Sequence, residues 1–363
     1  MSVAANDIEM IRSRPGMFIG DVQDGSGLVH LVWEVLANAL DEHLSGHCKN
    51  ISVVIGEDGS VTIHDDGRGI AARPIDGIPL VEKALTSLHN TPTLDGHAPH
   101  EHLALFGVGL VAVNALSRRL HVEIHRDGEC FRQDYERGVP CSSLIRSVST
   151  EHSGTMITFL PDSDIFPNLW INGGAIAARL RELACLLPSL RLTFVDRRVQ
   201  EFHEPDGLPA FLRRTRHPNS RVLAALKVNE IVDQIAVEAA IEWRDHYWSS
   251  IDSYANIQRT TEGGTHVRGL LTGLARGLRA VPAVKERRLS LNYLRPLLSR
   301  GLHAVVCVRL RDPTFESPTR SRLATPAVSK CVSSVVCREF SRKLTEDHEL
   351  RQHWLSMIEG SHP

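Results

Sequence analysis

The segment between Gly27 and Gly46 constrains the fold more than any other. It reads GLVHLVWEVLANALDEHLSG, a helix-length run without proline that closes on Ser-Gly, a good C-terminal stop. Leu28, Val29, Leu31, Val32, Trp33, Val35, Leu36, Ala39 and Leu40 surround the axis and leave little room for a solvated face, so the helix is expected to lie in a core. His30, Glu34 and Asn38 recur at a spacing of four, which aligns them on one stripe. Unpaired buried polar groups cost about 1–3 kcal/mol each, so three in line need partners. Two readings meet that need. One is a structural hydrogen-bond network. The other is a carboxylate base, an amide oxygen for a metal ion and a histidine that orients the base.

The surrounding segments read as α+β. ISVVIG and SVTIHDD, joined by the turn EDGS, form a hairpin pattern. Residues 78–89 are helical, 90–102 are polar and irregular, and an apolar helix starts at 107. Strands follow at 119–125, 129–136 and 153–161, then an amphipathic helix at 175–187. This mixed order predicts an α/β sandwich, one mixed sheet with helices packed on one face. After Phe202, HEPDGLPAFLRRTRHPNS is rich in proline, charge and turn formers and marks a junction, which divides the chain into 1–208 and 209–363. Strands near 221–229, 234–243, 247–257 and 302–310, a helix after Gly-Gly-Thr-His and a last helix at 325–345 make a smaller α+β domain.

A chain of 363 residues is long enough for two such cores. The net charge of −2 excludes a global polycation, so any nucleic-acid contact requires a local patch. The seven cysteines are scattered without a Cys-x-x-Cys pair, which points to reduced thiols in the cytoplasm and away from a disulfide framework or zinc ribbon. There is no signal core and no run of eighteen apolar residues, so neither secretion nor a membrane partner is expected.

A second constellation is TIHDDGRGI, Thr62 to Ile70. A strand ends in two aspartates, and Gly67 and Gly69 permit close backbone approach. Alone, Asp-Asp-Gly is an ordinary turn. It lies between the striped helix and HEHLALFGVGLVAVNAL, His100 to Leu116, where Gly107, Val108 and Gly109 open a helix whose free N–H groups suit phosphate. Together the three segments spell base recognition, water and metal activation, and a phosphate cradle.

RSRPGMFIGD, the striped helix, DDGRGI, FGVGLVAVNALS, SGTM, EGGTH and PTF…TR resemble, in order and spacing, the N-terminal half of the DNA gyrase B protein and its topoisomerase IV relatives. That half is the ATPase and transducer region of a superfamily shared with the heat-shock chaperone, histidine kinases and the mismatch-repair ATPase. The resemblance implies ATP and Mg2+ as ligands and a role for each matching residue. Glu34 is the implied general base, His30 its partner and Asn38 the magnesium ligand. Asp65 accepts from the adenine amino group, and Thr155 shares a bridging water. Gly69 approaches the base, Arg68 and Arg132 rim the pocket, and Gly107, Val108 and Gly109 meet the phosphates. Arg320 supplies the transducer charge, in place of the family's lysine.

The lid departs from the family. Gly-Gly-Leu-His-Gly-Val-Gly becomes Leu103-Ala104-Leu105-Phe106-Gly107-Val108-Gly109, Thr93 stands for a lysine and Pro318 for a glutamine. Binding with slow turnover is expected; a regulator or decoy that binds nucleotide or a topoisomerase partner is the alternative. The chain stops at Pro363, so DNA cleavage is expected from a separate subunit acting on DNA in a larger assembly. Met1 to Asp7, read as an extended arm, reaches about 25 Å and holds few large side chains, which predicts only a weak ATP-dependent homodimer. His97, His100, Glu101 and His102 read as a polar lid before a zinc site, Asp162 and Asp164 as capping residues, and Lys285–Arg288 as solvated surface before a DNA contact.

Overall fold

The computed structural model describes residues 3–75, 77–88, 109–147, 151–317 and 319–360. Two compact units divide at Pro205 and Asp206, three residues before the boundary read from the sequence. The difference arises because LPAFLRRT is a helix, not linker, and buries Leu208, Ala210 and Leu212 in the second unit.

The first unit begins with helices α1 (Val3–Ser13), α2 (Gly16–Ile19) and α3 (Ser26–Leu44). The hairpin of β1 (Asn50–Ile55) and β2 (Val61–Asp65) follows, then short β3 (Pro74–Ile75) and β4 (Ile78–Pro79). Helices α4 (Leu80–Thr86) and α5 (Gly109–Ala115) precede β5 (Ser117–Arg126), β6 (Glu129–Glu136), β7 (Val139–Pro140), β8 (Ile145–Ser147) and β9 (Gly154–Pro161). Helix α6 (Gly173–Leu186), β10 (Arg191–Asp196) and β11 (Arg198–Phe202) complete the unit. The sheet runs β11-β10-β1-β2-β9-β5-β6-β7, with β8 also on β6. Only β1 and β10 pair in parallel, so the sheet is mixed.

Burial alternates along its strands. Val61, Ile63 and Asp65 on β2, Leu120, Val122 and Ile124 on β5, and Ile157 and Phe159 on β9 are covered, while the residues between them are less so. That period of two is what a sheet with helices on one face requires.

Helix α1 replaces the extended arm expected for Met1 to Asp7, since the backbone is helical from Val3. Its Ile8 and Ile11 are buried, and Arg12 donates to the Ala115 carbonyl at the end of α5 (2.6 Å) and to Asp162 (2.7 Å). Asp162 is fully buried, accepts the Asp164 N–H at 3.1 Å and also meets Arg137 at 3.1 Å, so the aspartate read as a cap does cap the turn and also centres an ion-pair cluster.

The second unit holds α7 (Leu208–Thr215), β12 (Val222–Val232), β13 (Ile235–Arg244), β14 (Ser250–Ala255) and β15 (Gln258–Arg259). Helices α8 (Thr265–Arg279), α9 (Pro282–Glu286) and α10 (Leu291–Ser299) lead to β16 (Leu302–Arg309), α11 (Pro326–Glu346) and α12 (His348–Gly360). Its sheet runs β12-β13-β16-β14-β15, and β14 joins β16 in parallel. Helix α12 follows the one read as last. Asp347 starts it by accepting the Leu350 N–H at 3.0 Å, and Leu350, Trp354 and Ile358 bury one face. Trp243 stacks on Phe340 at 5.2 Å and meets Trp354 edge-on at 5.4 Å, which anchors both last helices to the sheet.

Among the described residues no helix is long and apolar enough to cross a membrane.

Candidate active site

Helix α3 supplies one half of the site. Leu28, Leu31, Val32, Val35, Leu36 and Ala39 are buried as expected, but the polar stripe is not enclosed. The His30 and Glu34 side chains are 41% and 24% exposed, and Asn38 is half-buried. The stripe therefore opens to one side of a helix that was expected to be buried all round.

His30 Nε2 lies 3.0 Å from Glu34 Oε1, and Asn38 Nδ2 donates to the Glu34 carbonyl at 2.9 Å. One carboxylate oxygen is thus steadied by the imidazole. The other, Oε2, abuts the first residue of α5, where any Cβ on Gly109 would overlap it. Only glycine admits the carboxylate so close to the helix start. The stripe continues to Glu42, four residues beyond Asn38. It was not selected from the sequence, although the same spacing points to it.

Strands β2 and β9 supply the other half. Asp65 ends β2 and pairs in register with Thr155 on β9, so two residues remote in the chain become neighbours. The Gly67 N–H donates to Asp65 Oδ1 at 2.9 Å. Burial pushes the Asp65 carboxyl up to about 7; the Gly67 N–H works against that shift and the Glu42 charge adds to it. For Asp66 burial is outweighed by hydrogen bonds. Asn50 donates to it from backbone (2.8 Å) and side chain (2.6 Å), and Lys49 N–H at 2.7 Å, which holds its carboxyl below the usual range. Adjacent aspartates thus serve different ends: Asp66 ties down β1, and Asp65 is buried at the start of the glycine turn.

Gly69 has φ of 79°, and a Cβ there would fall 2.6 Å from the His125 carbonyl, so both angle and space demand glycine. Thr155 Oγ1 accepts the Ile70 N–H at 3.1 Å, which fixes the turn to β9.

Arg68 and Arg132, expected at the rim, are each held by a carboxylate. Arg68 forks onto Glu42, with Nε and Nη2 at 3.1 and 2.9 Å, and its N–H adds a third bond at 2.9 Å. Arg132 Nε bonds Glu123 Oε2 at 2.6 Å. The guanidinium that reaches the glycine turn belongs to Arg126, whose Nη1 donates to the Gly69 carbonyl at 2.6 Å. Strand parity separates Arg126 from Arg132. Arg132 stands opposite Glu123 in register, and Glu123 alternates with buried Val122 and Ile124, whereas Arg126 shares their parity.

Gly107 and Val108 lie outside the described residues, as do Leu103–Phe106, Thr93, His97, His100, Glu101, His102 and Pro318. Arg320 is in the second unit. Its φ is 56°, its guanidinium lies 5.4 Å from the Phe315 ring centre, and burial lowers its pKa.

Residues 23–165 match the family model described as histidine kinase-, DNA gyrase B- and HSP90-like ATPase, and residues 203–358 match DNA gyrase B. The 43K ATPase domain of Thermus thermophilus gyrase B, solved in complex with an aminocoumarin, superposes with a TM-score of 0.83 at 31% identity, covering 98% of this chain and 94% of that one. The chain belongs to the DNA gyrase B family.

Other gyrase B proteins agree. The gyrase B protein of Halalkalibacterium halodurans is 38% identical over 353 residues, 93% of this chain and 55% of its own length. The gyrase B protein of Myxococcus xanthus has a TM-score of 0.80 at 28% identity, covering 96% of this chain and 99% of that one. The chain spans about half the length of the curated gyrase B relatives it matches.

Proposed function

We propose that this chain is the ATP-binding, slowly hydrolysing module of a gyrase B-type, ATP-dependent type II DNA topoisomerase. It works in the cytoplasm and acts on DNA through a larger assembly with a separate cleavage subunit. The observation that carries the reading is the pairing of two carboxylates along α3. Asp65 lies beside Glu42 at one end, and Glu34, oriented by His30, lies a little over two turns away, about 12 Å along the axis. Adenine at Asp65 and phosphates at Glu34 suit that separation.

In this reading the adenine amino group donates to Asp65, with Thr155 and Gly69 closing on the ring edge. Glu34 takes a proton from water as that oxygen bonds the γ-phosphorus and the bridging oxygen leaves with ADP. His30 holds the carboxylate in line and steadies the proton it gains. Asn38 spends its amide N–H on the α3 backbone, which leaves Oδ1 as the hard oxygen that magnesium prefers. When bound, magnesium offsets phosphate charge. Arg126, bonded to the Gly69 carbonyl, fixes the glycine turn, and Arg320 is the candidate transducer cation.

Slow turnover rests on the lid. Glycine adopts left-handed angles that cost other residues roughly 1–2 kcal/mol each, and Leu103, Ala104 and Phe106 replace two glycines and a histidine of the family's lid. The test is magnesium-dependent ATP turnover. Glu34→Gln should reduce it about a hundredfold or more while calorimetry still detects binding of a non-hydrolysable analogue. Glycine at 103 and 104 with histidine at 106 should raise the rate. Absence of adenine-nucleotide binding by the unmodified protein overturns the reading; turnover as fast as that of an intact-lid relative overturns the slow step alone.

A further inference from the structure

We propose that Glu123, His125 and Cys130 form a binding site for a divalent ion of the zinc class, on the opposite face of the sheet from Asp65 and Thr155. The hairpin of β5 and β6 builds it. His125 pairs in register with Cys130, and Glu123 with Arg132. Glu123 and His125 alternate with buried Val122 and Ile124, so the two share the face away from the helices, each beside its partner on β6. One donor atom from each of Glu123, His125 and Cys130 lies within 4.8 Å of the others.

Several features favour an ion over a plain hydrogen-bond cluster. Cys130 is buried, which keeps its thiol from bulk solvent. His125 Nε2 lies 2.7 Å from Glu123 Oε1, whereas its Nδ1 is buried without a hydrogen-bond partner among the described residues. The neighbour of His125 on β9 is Gly154, so no β9 side chain stands beside the ring as a further donor. Met156, a soft thioether, stands next to Glu123 and across from His64.

Thiolate, imidazole and carboxylate together select zinc-like ions over magnesium or calcium. Bonds of about 2.0–2.3 Å place tetrahedral donors roughly 3.3–3.8 Å apart, so the 2.7 Å contact of Glu123 with His125 opens to admit the ion while the thiol, within 4.8 Å of both, closes toward it, each a side-chain adjustment. Arg132 holds Glu123 Oε2, which leaves Oε1 to turn from His125 to the ion. Binding forms the metal–sulfur bond and releases the Cys130 proton to solvent, and water takes the fourth position.

Cobalt(II), titrated into the full chain under reducing conditions, tests this. One equivalent should bind, give thiolate-to-cobalt charge-transfer absorption with tetrahedral d–d bands, and be displaced by zinc. Cys130→Ser should abolish the charge-transfer band and weaken binding more than about tenfold. His125→Gln should weaken binding comparably while a charge-transfer band remains, which keeps the test decisive if the buried serine variant fails to fold. Cys141→Ser, at an exposed thiol outside the cluster, should change nothing. No charge-transfer band in the unmodified chain, a band that survives Cys130→Ser, or one lost in Cys141→Ser overturns the proposal.

Discussion

At the scale of single residues, Asp65 sets function against stability. Its carboxyl is pushed up to about 7 by burial, so the folded protein keeps a proton there at pH values where the unfolded chain has released it. Between about pH 4 and 7 the native state binds more protons, and the contribution of Asp65 to stability falls as pH rises through that window. Asp65→Asn removes that burden. Its melting temperature should exceed that of the parent at about pH 8, by the equivalent of about 1–3 kcal/mol, and the gain should vanish near pH 4. Calorimetry should show the same variant losing adenine-nucleotide affinity by about 1.5–3 kcal/mol. In the unmodified protein that affinity should fall as pH drops below about 7, because the ionised carboxyl is the acceptor. A variant less stable than the parent at pH 8 would contradict a carboxyl whose burial outweighs its hydrogen bonds. Much of this residue's chemistry was legible: DDGRGI marked the turn and the close backbone approach. Which aspartate titrates high was not, because that depends on what covers each carboxyl.

Among the elements, α8 and α11 show packing overriding propensity. Gly269, Gly273 and Gly277 recur every fourth residue on α8, and a Cβ on each would press into α11: at 273 it would lie 2.8 Å from Val336 Cβ and 2.9 Å from the Ser333 carbonyl. Helix propensity alone favours alanine over glycine by about 1 kcal/mol. Overpacking a tight contact costs about 1–3 kcal/mol. Gly273→Ala should therefore lower stability in urea unfolding, and a more stable variant would show that the helices separate freely. The sequence indicates a helix here but not its neighbour, so the glycines read only as weak helix formers. Strands β10 and β11 escaped notice for a related reason. RLTFVDRRVQEF places charged residues on the uncovered positions of an edge hairpin, and the alternation is recognised only once the sheet is seen. Helix α1 is similar, since the apolar residues of VAANDIEMIRS are mostly small or unaligned and it is held as a helix by buried Ile8 and Ile11 and the Arg12 bonds to Ala115 and Asp162.

For the molecule as a whole, the open question is association. Val3 to Ser13 are helical, so these residues do not form the extended crossing arm read from the sequence, and each well-buried aliphatic contributes only about 1.5–3 kcal/mol. Light scattering at micromolar protein should find mostly monomer without nucleotide and a weak dimer with a non-hydrolysable ATP analogue; a tight nucleotide-locked dimer would refute this. Local pattern in the sequence determined the striped helix, with His30, Glu34 and Asn38 in line, and the hairpins, because each rests on spacings of two or four residues within one element; composition after Phe202 marked the two-unit plan, and the roles of these residues and of Asp65 came from the family resemblance. Tertiary structure alone decided that Thr155 stands opposite Asp65 in strand register, that Arg126 reaches the Gly69 carbonyl, that Glu34 abuts Gly109, and that Asp65 is the carboxyl driven toward neutrality. Those outcomes depend on strand register and on burial by remote segments. A register shift of one residue would turn every side chain to the other face, and nothing in a local spacing specifies which distant strand arrives.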